Sequence, residues 1–220
     1  MTVTGIIKFN DIEEEVVVFI RNSDIFTITQ RGVTTQSDTG TFSADSSHTL
    51  TTTPTIVKNV RSVVVSGSTL TRYTDYTVDY TTGVITFIAA QTGAYTISYD
   101  TGATDKVFPD FPKVELKVSS YPRIGVAITS LTTTDEALSS NYKMSDYLIS
   151  IYVYSVGKEN NNIYMATLRE EFLESKTSFY YLKYVIPVSN GPAISEPNRA
   201  EKIITRTLEL RSPLNMEVIS

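Results

Sequence analysis

The sequence predicts an α+β protein: an antiparallel sheet with two helices that carries an inserted, all-β, sandwich-like domain. Three observations carry this. The chain opens on an amphipathic helical spacing, and from Phe26 to about Tyr99 it turns rich in Thr, Ser, Val, Tyr and Gly with repeated turn residues. Beyond that, strand patterns surround one further helical pattern, the mark of helices and sheet segregated in one layer pair.

From Ile6 to about Arg21, Phe9, Ile12, Val16, Phe19 and Ile20 recur at spacings of three and four, with Glu13 to Glu15 on or near the opposite side. That pattern is an amphipathic helix seeking a partner surface. Val16, Val17 and Val18 are mediocre helix formers, whereas the acidic cluster near the start favours a helix. Asn10 or Asp11 could cap a shorter version.

Ile56 to Val65 reads as an apolar strand closed by Ser66-Gly67-Ser68. Tyr76, Val78 and Tyr80 alternate with Thr77 and Asp79, and Thr81-Thr82-Gly83 turns the chain into a strand beginning at Val84 to Phe87. Gln91-Thr92-Gly93 suggests another turn, into Ala94 to Tyr99. Strands at this spacing suit a small sandwich or open barrel. Thr101 to Pro112 holds Gly102, two prolines and Asp105, Lys106 and Asp110, so regular structure is expected to stop there.

Tyr121 to Thr129 and Tyr147 to Val156 follow as strands, the second with Leu148, Ser150, Tyr152 and Tyr154 on one face and Ile149, Ile151 and Val153 on the other. A strand apolar on both faces is covered on both sides, or one face meets another subunit. Asn160-Asn161-Asn162 reads as the cap of a second helix, with Tyr164, Met165, Leu168, Phe172 and Leu173 at helical spacing to about Lys176. Phe179 to Val188 reads as a Tyr-rich strand, Gly191 to Pro197 as a loop, and Ala200 to Arg211 as a closing strand. The first helix has no evident partner inside a Thr-rich β domain, while the later sheet has a free face. The economical arrangement is residues 1–25 with 105–220 as one α+β domain and 26–104 as an insert; the alternative is two domains in tandem with the first helix capping the sandwich.

The composition excludes several classes of function. A chain of 220 residues with 41% hydrophobic and 20% charged residues can build a core, and it has no apolar run of the ~20 residues that span a bilayer, so a soluble protein without membrane contact is expected. A net charge of −5 argues against binding along nucleic-acid phosphates. No Cys and one His leave little for disulfides, thiolate chemistry or metal binding. Met1 to Asn10 lacks a basic segment followed by a long apolar one, so the chain is expected to remain in the cytosol or in a particle assembled there.

His48 falls in a polar Ser-Ser-His-Thr stretch and reads as a solvated loop residue. Asp75 and Asp79, four apart in a strand, stand about 13 Å apart by rise alone, too far for a glycosidase pair. Asp24, Asp38 and Asp45 lack a calcium-loop pattern and read as turn formers. No phosphate-binding, dinucleotide-binding or nucleophile-elbow glycine motif is present. The expectation is therefore no catalytic residue, no cofactor and no metal.

Outside its insert, the chain resembles the ring-forming tail-terminator and tail-completion proteins of tailed bacteriophages and related archaeal viruses. The residues that carry the resemblance are the N-terminal helix, Phe111-Pro112-Lys113-Val114 and Tyr121-Pro122-Arg123-Ile124-Gly125-Val126. The strand Tyr147 to Ser155, the helix Ile163 to Glu174 and the strand Arg206-Thr207-Leu208-Glu209-Leu210 complete it. Tyr76 to Phe87 is similar to a hairpin recurrent in virion proteins. The resemblance implies a virion structural protein: a hexameric ring that ends the tail tube and meets the head connector or neck. Its partners would be copies of itself, the tail tube protein and the neck proteins, with passing contact to packaged DNA. Another tail or baseplate component, or a receptor- or carbohydrate-binding module, is the alternative.

Such a ring needs surfaces incomplete in one subunit and complementary between neighbours. With 14 Tyr and no Trp the chain is rich in a side chain suited to interfaces. Tyr152, Tyr154, Tyr180, Tyr181 and Tyr184 are the candidate interface residues. Lys113, Lys117, Arg123 and Arg206 are candidate lumen or partner charges; Lys202 and Arg211 flank the last of these.

Overall fold

The computed structural model describes residues 9–23, 25–51, 56–109, 121–135, 142–182, 184–195 and 203–217. The protein is α+β and divides into two compact units, residues 1–25 with 106–220, and residues 26–105.

In the discontinuous unit, α1 (Phe9–Asn22) and α3 (Lys158–Glu174) accompany β6 (Val107–Pro109), β7 (Arg123–Asp135), β8 (Tyr142–Val156), β9 (Ile186–Asn190), β10 (Ile194–Ser195) and β11 (Ile203–Glu217). The sheet runs β10-β11-β8-β7-β6, with β9 also on β11. All pairs are antiparallel except β6 with β7. That parallel strand corrects the expectation that regular structure ends at the Thr101 to Pro112 junction; three residues are too few to show a period.

Register sorts the side chains into two faces. Ile124, Val153 and Arg206 align across the sheet, then Val126, Ile151 and Leu208, then Ile128, Ile149 and Leu210. This face is the core: Ile124, Val126, Ile149, Ile151, Val153, Leu208 and Leu210 are fully buried. Both helices lie on it, joined through Phe19 of α1 and Phe172 of α3, whose ring centroids are 4.8 Å apart. Each such buried aliphatic side chain contributes roughly 1.5–3 kcal/mol.

Helix α1 keeps its apolar stripe of Ile12, Val16 and Ile20, but Val17 and Val18 are buried too, and tertiary burial overrides their weak helix propensity. The acidic residues do not face away from the protein. Glu13 accepts the Ile128 backbone N–H at 3.0 Å, beside the bulge between Ile128 and Ser130. Glu15 is buried and accepts the backbone N–H groups of Tyr180 and Tyr181. Donors left without strand partners attract the carboxylates inward, where an unpaired N–H would cost about 1–3 kcal/mol. Arg21 similarly donates from Nε and Nη2 to the Val107 carbonyl at 3.1 and 2.6 Å.

The same bonds explain a second correction. Phe179 to Leu182 is not a strand, nor are Tyr184 and Val185; β9 begins only at Ile186, because the donors of Tyr180 and Tyr181 are taken by Glu15 and that of Val185 by the Lys176 carbonyl. Helix α3 starts earlier than its asparagines suggest, after Gly157. Asn161 is no cap: it is buried in the first turn, and its Nδ2 donates to the carbonyls of Val153 on β8 and Ile204 on β11 at 3.0 and 3.1 Å.

The continuous unit holds α2 (Ile28–Arg31) and the strands β1 (Thr34–Thr49), β2 (Ile56–Val65), β3 (Ser68–Thr69), β4 (Tyr76–Asp79) and β5 (Val84–Gly102). Thr27 and Gln30 form a reciprocal capping box on α2, and Gly32 ends it at φ 77°, left-handed backbone that glycine adopts freely. β2 and β3 meet through Ser66 and Gly67, both at positive φ as a tight hairpin turn requires. At the β4–β5 turn the exposed carboxylate of Asp79 accepts the Thr81 N–H and the Thr82 hydroxyl, both at 2.8 Å, which holds its pKa down.

β5 continues as a strand through Gln91-Thr92-Gly93 instead of turning there, and its register with β1 shifts on both sides of Asp45, first by an extra residue on β1 and then, between Gln91 and Thr86, by extra residues on β5. All the strands of this unit belong to one five-stranded sheet, not two stacked ones. That sheet is sharply folded. Phe42 pairs with Gly93, which in a flat sheet would lie about 20 Å along β5 from Phe87; the Phe42 and Phe87 rings are 5.2 Å apart. The closed space holds Phe42, Val60, Val63, Ile85, Ile97 and Tyr99.

Gly40 stands opposite Tyr95, and a Cβ there would lie 2.8 Å from the Tyr95 hydroxyl oxygen and 2.9 Å from its ring. Tyr95 cannot simply swing away, because it stacks on Phe42 at 4.1 Å. Gly40→Ala is therefore expected to destabilise this unit by about 1–3 kcal/mol. An unchanged melting temperature would show that the Tyr95 stack is loose.

Candidate functional site

The sheet of the discontinuous unit presents a second face, opposite α1 and α3. Across it Arg123, Tyr154 and Thr205 align, then Gly125, Tyr152 and Thr207, then Ala127, Ser150 and Glu209. Tyr152 and Tyr154 are half-buried, whereas the small Ala127 and Ser150 between larger neighbours are buried. Phe108 on β6 belongs to this face, with the Arg123 guanidinium 5.3 Å above its ring. Burial pushes the Arg123 pKa down, and it pushes Lys106 down too, with a further push from the Arg123 charge. Lys106 is thus a second cation at this edge that the sequence pattern did not single out.

The structure does not gather the five candidate tyrosines. Tyr152 and Tyr154 share the second face, but Tyr180, Tyr181 and Tyr184 lie in the irregular segment that packs on α1, on the core side. Tyr180 is exposed and meets Tyr181 edge-on at 5.0 Å. Burial, then the negative charges of Asp11, Glu15 and Glu14 together with Tyr180, raise the Tyr181 pKa. Lys176 Nζ lies 5.4 Å from the Tyr184 ring. The candidate charges are divided as well: Arg123 is on the second face and Arg206 on the core face, while Lys113, Lys117 and Lys202 lie outside the described residues.

Beyond the pair Tyr147 and Ser212, three strands continue as a ribbon. β8 and β11 stay in register from Asp146 opposite Pro213 to Tyr142 opposite Glu217, and β7 follows as far as Asp135 opposite Lys143. Among the described residues both outer edges of this ribbon lack a strand partner. β6 pairs with β7 only at Ile124 to Val126, and β9 and β10 pair with β11 no further than Arg211. Sheet edges of this kind are templates for pairing with another chain.

Of the other sequence candidates, His48, Asp75 and Asp45 lie within the β unit. His48 is in β1, not in a loop, with its Nε2 3.5 Å from Asp38 Oδ2 and its ring 5.6 and 5.0 Å from Phe42 and Tyr95. The Ser- and Thr-rich strand around it shows no apolar alternation by which it could be read. Tyr99 reaches the same Asp38 at 2.9 Å; burial, then that carboxylate, push its hydroxyl up to about 12. Asp75 precedes β4 and accepts the Thr71 N–H at 2.7 Å, and Asp45 accepts the Ser43 N–H at the bulge. Asp24 lies outside the described residues. Among the described residues no group of three His, Cys, Asp or Glu side chains converges as metal ligands, and no helix is long and apolar enough to cross a membrane.

Against known proteins, no family model, no curated protein and no solved structure matches the chain.

Proposed function

We propose that the protein is an assembling structural subunit of a virus particle, a ring-forming tail terminator or neck component that ends the tail tube and joins it to the head connector. The observation that carries this reading is the three-stranded ribbon of β7, β8 and β11, whose outer edges have no strand partner among the described residues. In a ring, such edges and a face bearing Tyr152 and Tyr154 are completed by the neighbouring copy. The inserted β unit then serves contacts with a neighbouring ring or projects outward. Copies of the same chain, tail tube subunits and neck proteins are the partners, in the virion, and no cofactor or catalytic residue is invoked.

Tyr152→Asp tests the face directly, since a half-buried tyrosine is replaced by a charge that an interface would have to desolvate. Size-exclusion chromatography of the variant is expected to give a folded single subunit where the parent chain gives an oligomer. If the variant assembles like the parent, this face is not the interface. If it unfolds, Tyr152 belongs to the subunit's own core, and the proposed contact at this face is withdrawn.

A further inference from the structure

On the core face, where α3 runs beside β11 and the end of β9, the described residues enclose an open groove of about 740 Å³. Its walls carry three cations, Lys158, Arg169 and Arg206, against one carboxylate, Glu170, and an apolar strip of Met165 and Leu173. A second depression continues it past Arg169 to Val188. Leu173 and Val188 are 43% and 50% exposed, large apolar side chains held in water beside positive charge. Arg206 rises from β11 into the groove, and its Nε is buried without an acceptor among the described residues. A buried donor with no acceptor is costly unless a ligand supplies one.

We propose that this groove docks an acidic, leucine-bearing peptide segment of a partner protein. A carboxylate of the peptide sits on the planar fork of Arg206, the geometry for which arginine is suited. Arg169 and Lys158 hold further carboxylates, and an adjacent apolar side chain covers Leu173 and Val188. A nucleic-acid backbone fits less well: its unbroken line of phosphates would pass Glu170 and two exposed apolar side chains that it cannot use. The groove is on the opposite face from Tyr152, so this inference goes beyond the ring reading and stands or falls separately from it.

The test uses the full chain and a fluorescein-labelled peptide, Glu-Leu-Asp repeated three times, followed by fluorescence anisotropy. Lys-Leu-Asn repeated three times and a short DNA duplex are the comparisons. Saturable binding of the acidic peptide alone is expected, weakened about tenfold or more by Arg206→Gln and by Arg169→Glu, as loss of a charge-assisted hydrogen bond implies. Arg169 is exposed, so its variant keeps the fold and decides the question even if Arg206→Gln does not fold. The proposal is overturned if the acidic peptide does not bind, if both variants bind it as the parent does, or if the duplex binds the groove at least as tightly.

Discussion

Arg31→Met is expected to cost the inserted unit about 3–5 kcal/mol, the range for removing one partner from a buried ion cluster. Arg31 is 1% exposed, in a four-residue helix held by its capping box and glycine stop. Its Nη1 donates to Asp100 Oδ2 at 2.8 Å, and its Nη2 to Asp105 Oδ2 at 2.5 Å. Asp100 has no exposed surface and also accepts from Arg61 Nε at 2.7 Å and from the Thr35 hydroxyl at 2.8 Å. One guanidinium therefore ties α2 to the end of β5 and to the residue that closes the unit at Asp105. Without it two buried carboxylates lose their shared cation. Arg61→Met should cost less, because Arg61 is 21% exposed and water can replace it. Urea denaturation of the two variants checks the order, and equal losses would contradict it.

The same cluster sets an acid limit. Burial alone would raise the Asp100 pKa, but hydrogen bonds from Arg61 and Thr35 and the charge and hydrogen bond of Arg31 outweigh it and hold the carboxyl below its ordinary value of 3.8. A carboxyl depressed in the folded state stabilises above its unfolded pKa and ceases to do so as pH falls through the folded one. The contribution is expected to be whole above about pH 4 and to disappear below it. In the Asp100→Asn variant the acid-induced loss of stability should be smaller than in the parent chain.

Phe172→Ala is the second large effect, expected to cost the discontinuous unit about 3–5 kcal/mol. Phe172 is fully buried, with Phe19 at 4.8 Å and Phe179 stacked at 6.0 Å, and Phe19 and Phe179 are 4.9 Å apart. The three rings join α1, α3 and the segment that follows α3. Alanine leaves a cavity where they meet, and the adjacent bonds that the Tyr180 and Tyr181 N–H groups donate to Glu15 lose their backing. Phe172→Leu, which keeps most of the volume, should cost less than about 1.5 kcal/mol. Thermal unfolding that did not separate the two variants would show that the cluster is not what joins these elements.

These elements also show which parts of the fold the sequence reveals. β2 is legible to the residue, Ile56 to Val65, because a β-branched run ends at a Ser-Gly turn that needs two positive-φ residues. The two faces of β8 are legible because a period of two needs no knowledge of the neighbours. The inward turn of Glu13 and Glu15 is not, since their partners are backbone donors 115 and 165 residues away, created only once β7 and the Tyr180 segment are in place. For the same reason Tyr180 and Tyr181 look like strand residues until their N–H groups are seen to be taken. The separation of Arg123 from Arg206 depends on register across β7, β8 and β11, which no single segment encodes. Of the candidate site, then, the Tyr152 and Tyr154 face could be read in advance, but the groove at Arg206 could not.

Native mass spectrometry of the full chain across a range of concentrations decides whether the protein closes into a ring. A closed homo-oligomer is expected, six copies of the 24.4 kDa chain for a tail-terminator ring, formed alone or on addition of tail tubes. A folded single subunit at every concentration, with tubes present or absent, would contradict it.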